Sequence, residues 1–182
     1  MVPMYAVVSL LDEAHYRQVE ELWDQLKDHC CIAGIYRTPF PHFSYHVAPG
    51  YDLALLRTRL EQFARTTPPF RVRTAGLGIF TGPNPVIYMP VVRSPLLSAL
   101  HQALWPAVEE TATGGLTYYQ PDLWIPHITL GHGDLCHENL GPVVQFLNQK
   151  SLVWEIAIEN LAVISSTGSP DGLYLKLPLT GT

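Results

Sequence analysis

The sequence predicts an α+β fold of two similar lobes, with mainly antiparallel sheets, helices on the outside and a central cleft. Three observations carry this. First, Phe40-Pro41-His42-Phe43-Ser44-Tyr45 and Ile125-Pro126-His127-Ile128-Thr129-Leu130 share one pattern, apolar-Pro-His-apolar-(Ser/Thr)-apolar. Second, the two copies lie 85 residues apart, and the segment from Trp154 to Val163 aligns with that from Phe70 to Ile79 at an offset of 84. Val91-Val92 answers Val7-Val8 at 84, and Trp105 answers Trp23 at 82. A period near half the chain means two lobes, because a solenoid needs several shorter repeats. Third, each half runs in the order strand, helix, motif strand, helix, hairpin, and runs of this kind favour antiparallel sheets in an α+β class.

The elements follow from periodicity. Tyr5 to Leu10 reads as a strand. Tyr16, Val19, Leu22, Trp23 and Leu26 then recur at helical spacing and form an apolar stripe. The first motif strand runs from His42 to Val47, and Leu53, Leu56, Leu60 and Phe63 mark a second helix. Phe70 to Phe80 and Val86 to Val92 read as strands joined by the turn Thr81-Gly82-Pro83-Asn84-Pro85. Ser94-Pro95 opens a third helix with a hydroxyl N-cap and proline at the first helical position, and its stripe is Leu96, Leu97, Leu100 and Leu104. The second motif strand spans His127 to Gly131. Leu140, Val143, Val144 and Leu147 give the fourth helix, for which Gly141-Pro142 predicts an irregular beginning. Trp154 to Ser165 and Leu173 to Leu177 are the last strands, joined by a turn at 167–172.

Composition agrees. With 182 residues, 47% of them apolar and 15% charged, the chain is expected to fold as one domain over 1–182, with repeats at about 1–85 and 86–182 and no linker between them. It lacks an apolar run near the ~18 residues that span a bilayer, and Met1-Val2-Pro3-Met4-Tyr5 lacks the basic start of a signal peptide. No membrane partner and a cytoplasmic location are expected. Cys30, Cys31 and Cys136 form neither an even disulfide set nor a CxxC pair, so reduced thiols are expected. A net charge of −5 argues against an extended nucleic-acid footprint, which depends on Lys and Arg, but leaves a small anionic ligand open.

The motifs have a definite geometry if they are strands. Successive side chains alternate faces, so His42 shares a face with Ser44, and His127 with Thr129. Each motif thus presents an imidazole and a hydroxyl together, and the preceding proline is tolerated where a strand begins. With these residues and this order of elements, the chain resembles the 2H phosphoesterases, which include bacterial RNA 2′,3′-cyclic phosphodiesterases once described as 2′-5′ RNA ligases. Their signature is two copies of His-x-(Thr/Ser)-x in a duplicated bilobal fold, matched here by His42-Phe43-Ser44-Tyr45 and His127-Ile128-Thr129-Leu130. The chain departs from the pattern twice. His132 stands where many members carry an arginine shortly after the threonine, and the first motif continues Tyr45-His46-Val47 rather than with apolar residues.

Opening a cyclic phosphodiester with water needs a base on the attacking side of phosphorus and an acid at the leaving oxygen. Histidine suits both roles near neutral pH. Ser44 and Thr129 would donate to the non-bridging oxygens, so the scheme calls for no metal or other cofactor. The resemblance implies a metal-independent phosphoesterase acting on a nucleotide or RNA end with a 2′,3′-cyclic phosphate, with His42 as proton donor and His127 as base. The symmetry of the motifs leaves that assignment reversible and leaves reverse 2′-5′ ligation open. Arg37 is a candidate to bind phosphate in place of the missing arginine, and Tyr36, Phe40, Tyr119 and Trp124 are candidates to stack on a base. His46 has the parity to line the cleft or to face solvent. Two other readings are carried: a non-catalytic nucleotide-binding module on the same fold, and a zinc-dependent hydrolase. The second would draw on His127, His132, Cys136 and His137, whose spacing matches no standard zinc site.

Overall fold

A computed structural model describes residues 4–166 and 172–181. The turn expected at 167–172 falls almost wholly outside the described residues, as does the start of the chain at 1–3. The strands are β1 (Tyr5–Leu10), β2 (His42–Ala48), β3 (Gly50–Tyr51), β4 (Phe70–Arg73), β5 (Gly78–Phe80), β6 (Val86–Pro90), β7 (Ala112–Thr113), β8 (His127–Gly131), β9 (Glu155–Ile158), β10 (Asn160–Ser165) and β11 (Leu173–Pro178). The helices are α1 (Glu13–Cys30), α2 (Leu53–Thr66), α3 (Pro95–Glu109) and α4 (His137–Leu147). One sheet has the order β11-β10-β1-β2 and another β5-β6-β8, and every pairing is antiparallel. Two short ribbons, β3-β7 and β4-β9, complete the set.

Each motif strand lies at the edge of its sheet, β2 beside β1 and β8 beside β6. The four-stranded sheet joins strands from both ends of the chain. The helices cross over in a similar way: α1 follows β1 yet packs on β8 and α4, while α3 follows β6 yet packs on β2 and α2. One buried cluster therefore runs through Val7, Phe43, Ile87 and Ile128, so the two sheets share a core. This interleaving brings β2 and β8 against each other.

Local chemistry explains the element ends. Asp12 caps α1 by accepting from the backbone N–H of His15 at 3.0 Å, and Ser94 caps α3 by accepting from that of Leu97 at 3.2 Å with Pro95 behind it. The stripe of α3 is Leu97, His101, Leu104 and Val108, whereas Leu96 is 60% exposed. A buried histidine interrupts the apolar pattern, which is why counting leucines shifted the face. Helix α4 begins a turn earlier than Gly141-Pro142 suggests, because the Asn139 side chain accepts from the Cys136 backbone N–H at 2.8 Å. Pro142 then sits within the helix. The long strand expected from Phe70 to Phe80 breaks where Gly76 takes φ +79°, and β4 leaves to pair with β9.

Both motif strands carry a bulge at the equivalent place. Val8 pairs with Ser44 and Val7 with His46, so Tyr45 is the extra residue of β2. Tyr88 pairs with Thr129 and Ile87 with Gly131, so Leu130 is the extra residue of β8. In each strand the bulge immediately follows the motif hydroxyl.

Candidate active site

The strand starts set the two imidazoles. The His42 Nδ1–H donates to the carbonyl of Phe40, and the His127 Nδ1–H donates to that of Ile125 at 2.7 Å. A carbonyl can only accept, so each Nδ1 holds the proton in the neutral ring and Nε2 becomes the nitrogen that exchanges one. The prolines contribute to this arrangement: Pro41 and Pro126 have no N–H, and their carbonyls accept from Leu11 at 3.2 Å and Val91 at 2.9 Å. The same construction therefore appears twice, once at each edge strand.

The histidines open into two adjoining compartments. His42 and Ser44 line the first with Ile35, Thr38 and Val47, and His127 lines the second with Phe80, Leu116, Tyr118, Leu123 and Ile125. Tyr119, Thr129 and His132 line both. The cleft thus gathers His42, Ser44, His127, Thr129 and Tyr119. No Lys, Arg, Asp or Glu is among the described residues lining either compartment.

Burial dominates the electrostatics. It pulls His42 down to about 4, against the favourable Phe40 carbonyl and together with the repulsion that charged His127 and His132 would exert. His127 is pulled down by burial as well, against the Ile125 carbonyl. Both rings are therefore neutral at neutral pH, and an anion placed between them would favour their charged forms. Burial also pushes the Tyr119 phenol up, and Tyr119 lies within hydrogen-bonding reach of Ser44.

The bulges decide what else reaches the cleft. Simple alternation would carry His46 to the face of His42, but the extra Tyr45 turns it inward and brings Val47 to the cleft instead. His46 is 1% exposed, with Nδ1 paired to the Tyr51 hydroxyl and Nε2 to Glu109, each at 2.6 Å. Leu130 acts likewise on β8 and brings His132 to the cleft. The carbonyls beside the bulges are met by tryptophans: Trp124 Nε1–H donates to Ser44 at 2.8 Å and Trp23 Nε1–H to Thr129 at 3.1 Å.

Several candidates for ligand contact lie elsewhere. Trp124 is 2% exposed and stacked on His101 at 3.8 Å, and Phe40 is buried with Val8 and Ile164, so neither offers a face to a base. Tyr36 packs edge-on against Trp23 and its hydroxyl donates to Asp24 at 2.5 Å. Arg37 sits exposed on a short 3-10 turn, Gly34–Arg37, outside the cleft lining but near enough to disfavour a charge on His132. Among the described residues no three His, Cys, Asp or Glu side chains come together as a group able to hold a metal, and Cys136 instead caps α4. Also among them, no helix is long and apolar enough to cross a membrane.

The apolar wall beside His127 extends beyond the stacking candidate Tyr119. Tyr118, Leu123 and Ile125 are 75%, 58% and 51% exposed there. Behind them Phe80 and Tyr88 pack on the His127 ring at 4.9 and 5.0 Å. Alternating exposed apolar residues ahead of the second motif were the available signal.

Comparison with known proteins gives three findings. The model of the 2′-5′ RNA ligase superfamily matches residues 11–170. A Bacillus anthracis protein named "Putative phosphoesterase" is 28% identical over 113 residues, 62% of this chain and 61% of its own length, so the match spans about three fifths of that relative. The crystal structure of TT0787 of Thermus thermophilus superposes with a TM-score of 0.64 at 18% identity, covering 98% of each chain, and so shares the fold.

Proposed function

The chain belongs to the 2′-5′ RNA ligase superfamily, a group of 2H phosphoesterases, and from that premise we propose that it hydrolyses a cyclic phosphate or related phosphodiester of a nucleotide or RNA end. The observation that carries the reading is the matched pair of imidazoles, each tied through Nδ1 to a backbone carbonyl and each lining the same cleft.

The chemistry balances with these residues alone. One Nε2 takes a proton from water as its oxygen bonds to phosphorus. The opposite Nε2–H gives a proton to the ester oxygen as that P–O bond breaks. Ser44 and Thr129 hydroxyls donate to the non-bridging oxygens as charge builds there. The pair needs one proton between two imidazoles. In the free protein His42 is hard to protonate, since burial and the neighbouring imidazoles weigh against it. For His42 to be the donor, with His127 as base, the anionic phosphate must lie against His42 and offset that penalty. The apolar wall at Phe80, Tyr118, Leu123 and Ile125 suits an uncharged ring such as a nucleobase on the His127 side.

The test is hydrolysis of the four nucleoside 2′,3′-cyclic monophosphates and a short RNA with a cyclic phosphate end, in excess chelator. Wild type is compared with the double variant His42→Ala/His127→Ala. Turnover by wild type alone supports the reading, and the position of the product phosphate identifies the oxygen that leaves. Binding of mononucleotides without turnover replaces it with a nucleotide-binding module, and turnover abolished by chelator replaces it with metal-dependent hydrolysis.

A further inference from the structure

Resting on the reading of the cleft as a phosphate site, we propose that His132 is a third working imidazole, a phosphate-binding residue that carries positive charge when the anion is present. Its placement is the first argument. The bulge at Leu130 turns residue 132 into the cleft, as the bulge at Tyr45 turns residue 47, yet one position holds an imidazole and the other a valine. The two lobes present their acid/base histidines alike and differ here. His132 also lines both compartments, beside Thr129, on the wall where they meet.

The second argument is charge. No Lys or Arg is among the described lining residues, so histidines are the only side chains there that can balance a phosphate anion. The reaction itself requires His42 and His127 to hold one proton between them, and one ring must stay neutral. A third imidazole supplies a cation without spending that proton.

The third argument is construction. The backbone of His132 is locked against the 3-10 turn, because the Asp134 carboxylate accepts from the N–H groups of Ala33 at 2.6 Å and Gly34 at 2.7 Å. The His132 carbonyl approaches Gly34 so closely that a Cβ would collide with it. The charged and titratable groups facing His132 are Asp134 from its own turn, Arg37 from the 3-10 turn, His42 from β2, and His127 of β8 and the Tyr119 phenol, which line the same compartments. Asp134 favours protonation, while Arg37 and His42 oppose it, and burial outweighs them in the free protein. A bound anion reverses that balance, so phosphate affinity is set by pH where an arginine would make it constant.

The test uses diphenyl phosphate, which keeps a single negative charge throughout the range, so that any pH dependence belongs to the protein. Its binding is measured by calorimetry for wild type, His132→Gln and His132→Arg between about pH 5.5 and 8. Wild type is expected to bind more tightly as pH falls. His132→Gln should bind about tenfold more weakly at the acid end, the value of one charge-assisted hydrogen bond, and converge with wild type at the alkaline end. His132→Arg should keep tight binding at the alkaline end. Wild-type affinity in His132→Gln at acid pH, loss of affinity in His132→Arg at alkaline pH, or no binding by wild type at any pH would each overturn the assignment. Since binding needs no turnover, a protein that binds as described but hydrolyses no cyclic phosphate keeps the role of His132 and loses the proposed reaction instead.

Discussion

The indole hydrogen bonds to the bulged motif strands make a quantitative prediction. Trp124→Phe and Trp23→Phe each remove the donor that meets a carbonyl next to a bulge, at Ser44 and at Thr129. Both tryptophans are 2% exposed, so water cannot easily replace the donor. Removing the donor to a buried carbonyl costs about 1–3 kcal/mol. The smaller ring adds about 1 kcal/mol for lost contacts and the void it leaves. A total of about 2–4 kcal/mol corresponds to a Tm lowered by roughly 5–15 °C in a protein of this size. Trp124→Phe should be the more harmful, because its bond is shorter and its stack on His101 at 3.8 Å is also disturbed. The control is Trp105→Phe, which keeps a ring over His46 and touches neither bulge carbonyl; it should cost less than about 1.5 kcal/mol. Urea titration and calorimetry read the stability, and kcat reads the consequence for the hydroxyls of Ser44 and Thr129. If both bulge variants lose no more than Trp105→Phe, the indoles are packing residues only and the account of the motif strands is wrong.

The remaining predictions concern the histidines and the turn beside them. His42→Ala and His127→Ala should each slow turnover at least about a hundredfold with an unchanged thermal transition, and near-normal activity in either would remove the acid/base pair. The acid limb of kcat/KM should lie below the ordinary histidine value of about 6.5, since burial lowers both rings in the free protein, and a limb above that value contradicts the burial seen here. His101 is buried, donates through Nε2–H to the Tyr45 carbonyl, and is pulled down to about 4 chiefly by burial. Between about 6.5 and 4 the unfolded chain binds the extra proton, so stability is full above that window and is lost as pH falls through it, by about 3 kcal/mol. Urea midpoints at the two ends should therefore move closer together in His101→Gln, and an unchanged gap would exclude His101 as the source. Gly34→Ala should raise KM and lower stability together, because its Cβ meets the His132 carbonyl and the Asp134 carboxylate; a variant indistinguishable from wild type in both would show that the turn yields freely.

The parts of the fold written in local pattern were legible. Helical stripes at Val19, Leu22, Trp23 and Leu26 and the cap at Ser94-Pro95 needed only neighbouring residues, and the structure has them as expected. The repeated motif placed His42 and His127 together in one cleft because strand starts and preceding prolines are also local. What depended on partners across the fold was not legible. Trp105 matches Trp23 by offset in the sequence, yet Trp124 is the residue that meets the other bulge carbonyl, because that donor arrives from the segment before β8 rather than from a helix. Likewise Trp124 and Phe40 precede the motifs as loop aromatics do, but the shared core claims Trp124 and a second cluster, with Val8 and Ile164, claims Phe40.

The bulges show why the site was read only in part. Up to Ser44 and Thr129 a period of two assigns faces correctly, and one extra residue then inverts the assignment for everything that follows. That inversion accounts for two misreadings at once: His46, expected at the cleft or in solvent, is buried against Tyr51 and Glu109, while His132, weighed only as a metal ligand, lines the cleft. A bulge is a property of a strand pair, visible only when Val8 is seen opposite Ser44 and Tyr88 opposite Thr129. The same inversion joins fold to chemistry. It lies beside the carbonyls that the tryptophans meet, on the same residues as the motif hydroxyls, and it selects Val47 on one lobe and His132 on the other. Inserting one alanine between Gly131 and His132 should therefore do more than lengthen the segment. It would keep the bulge, give the alanine the cleft-facing place and turn His132 away from the phosphate, with the largest loss of diphenyl phosphate affinity at acid pH. Equal loss at all pH values would mean that the insertion acts by disrupting the sheet, and that the parity set by the bulge is not what delivers the third imidazole.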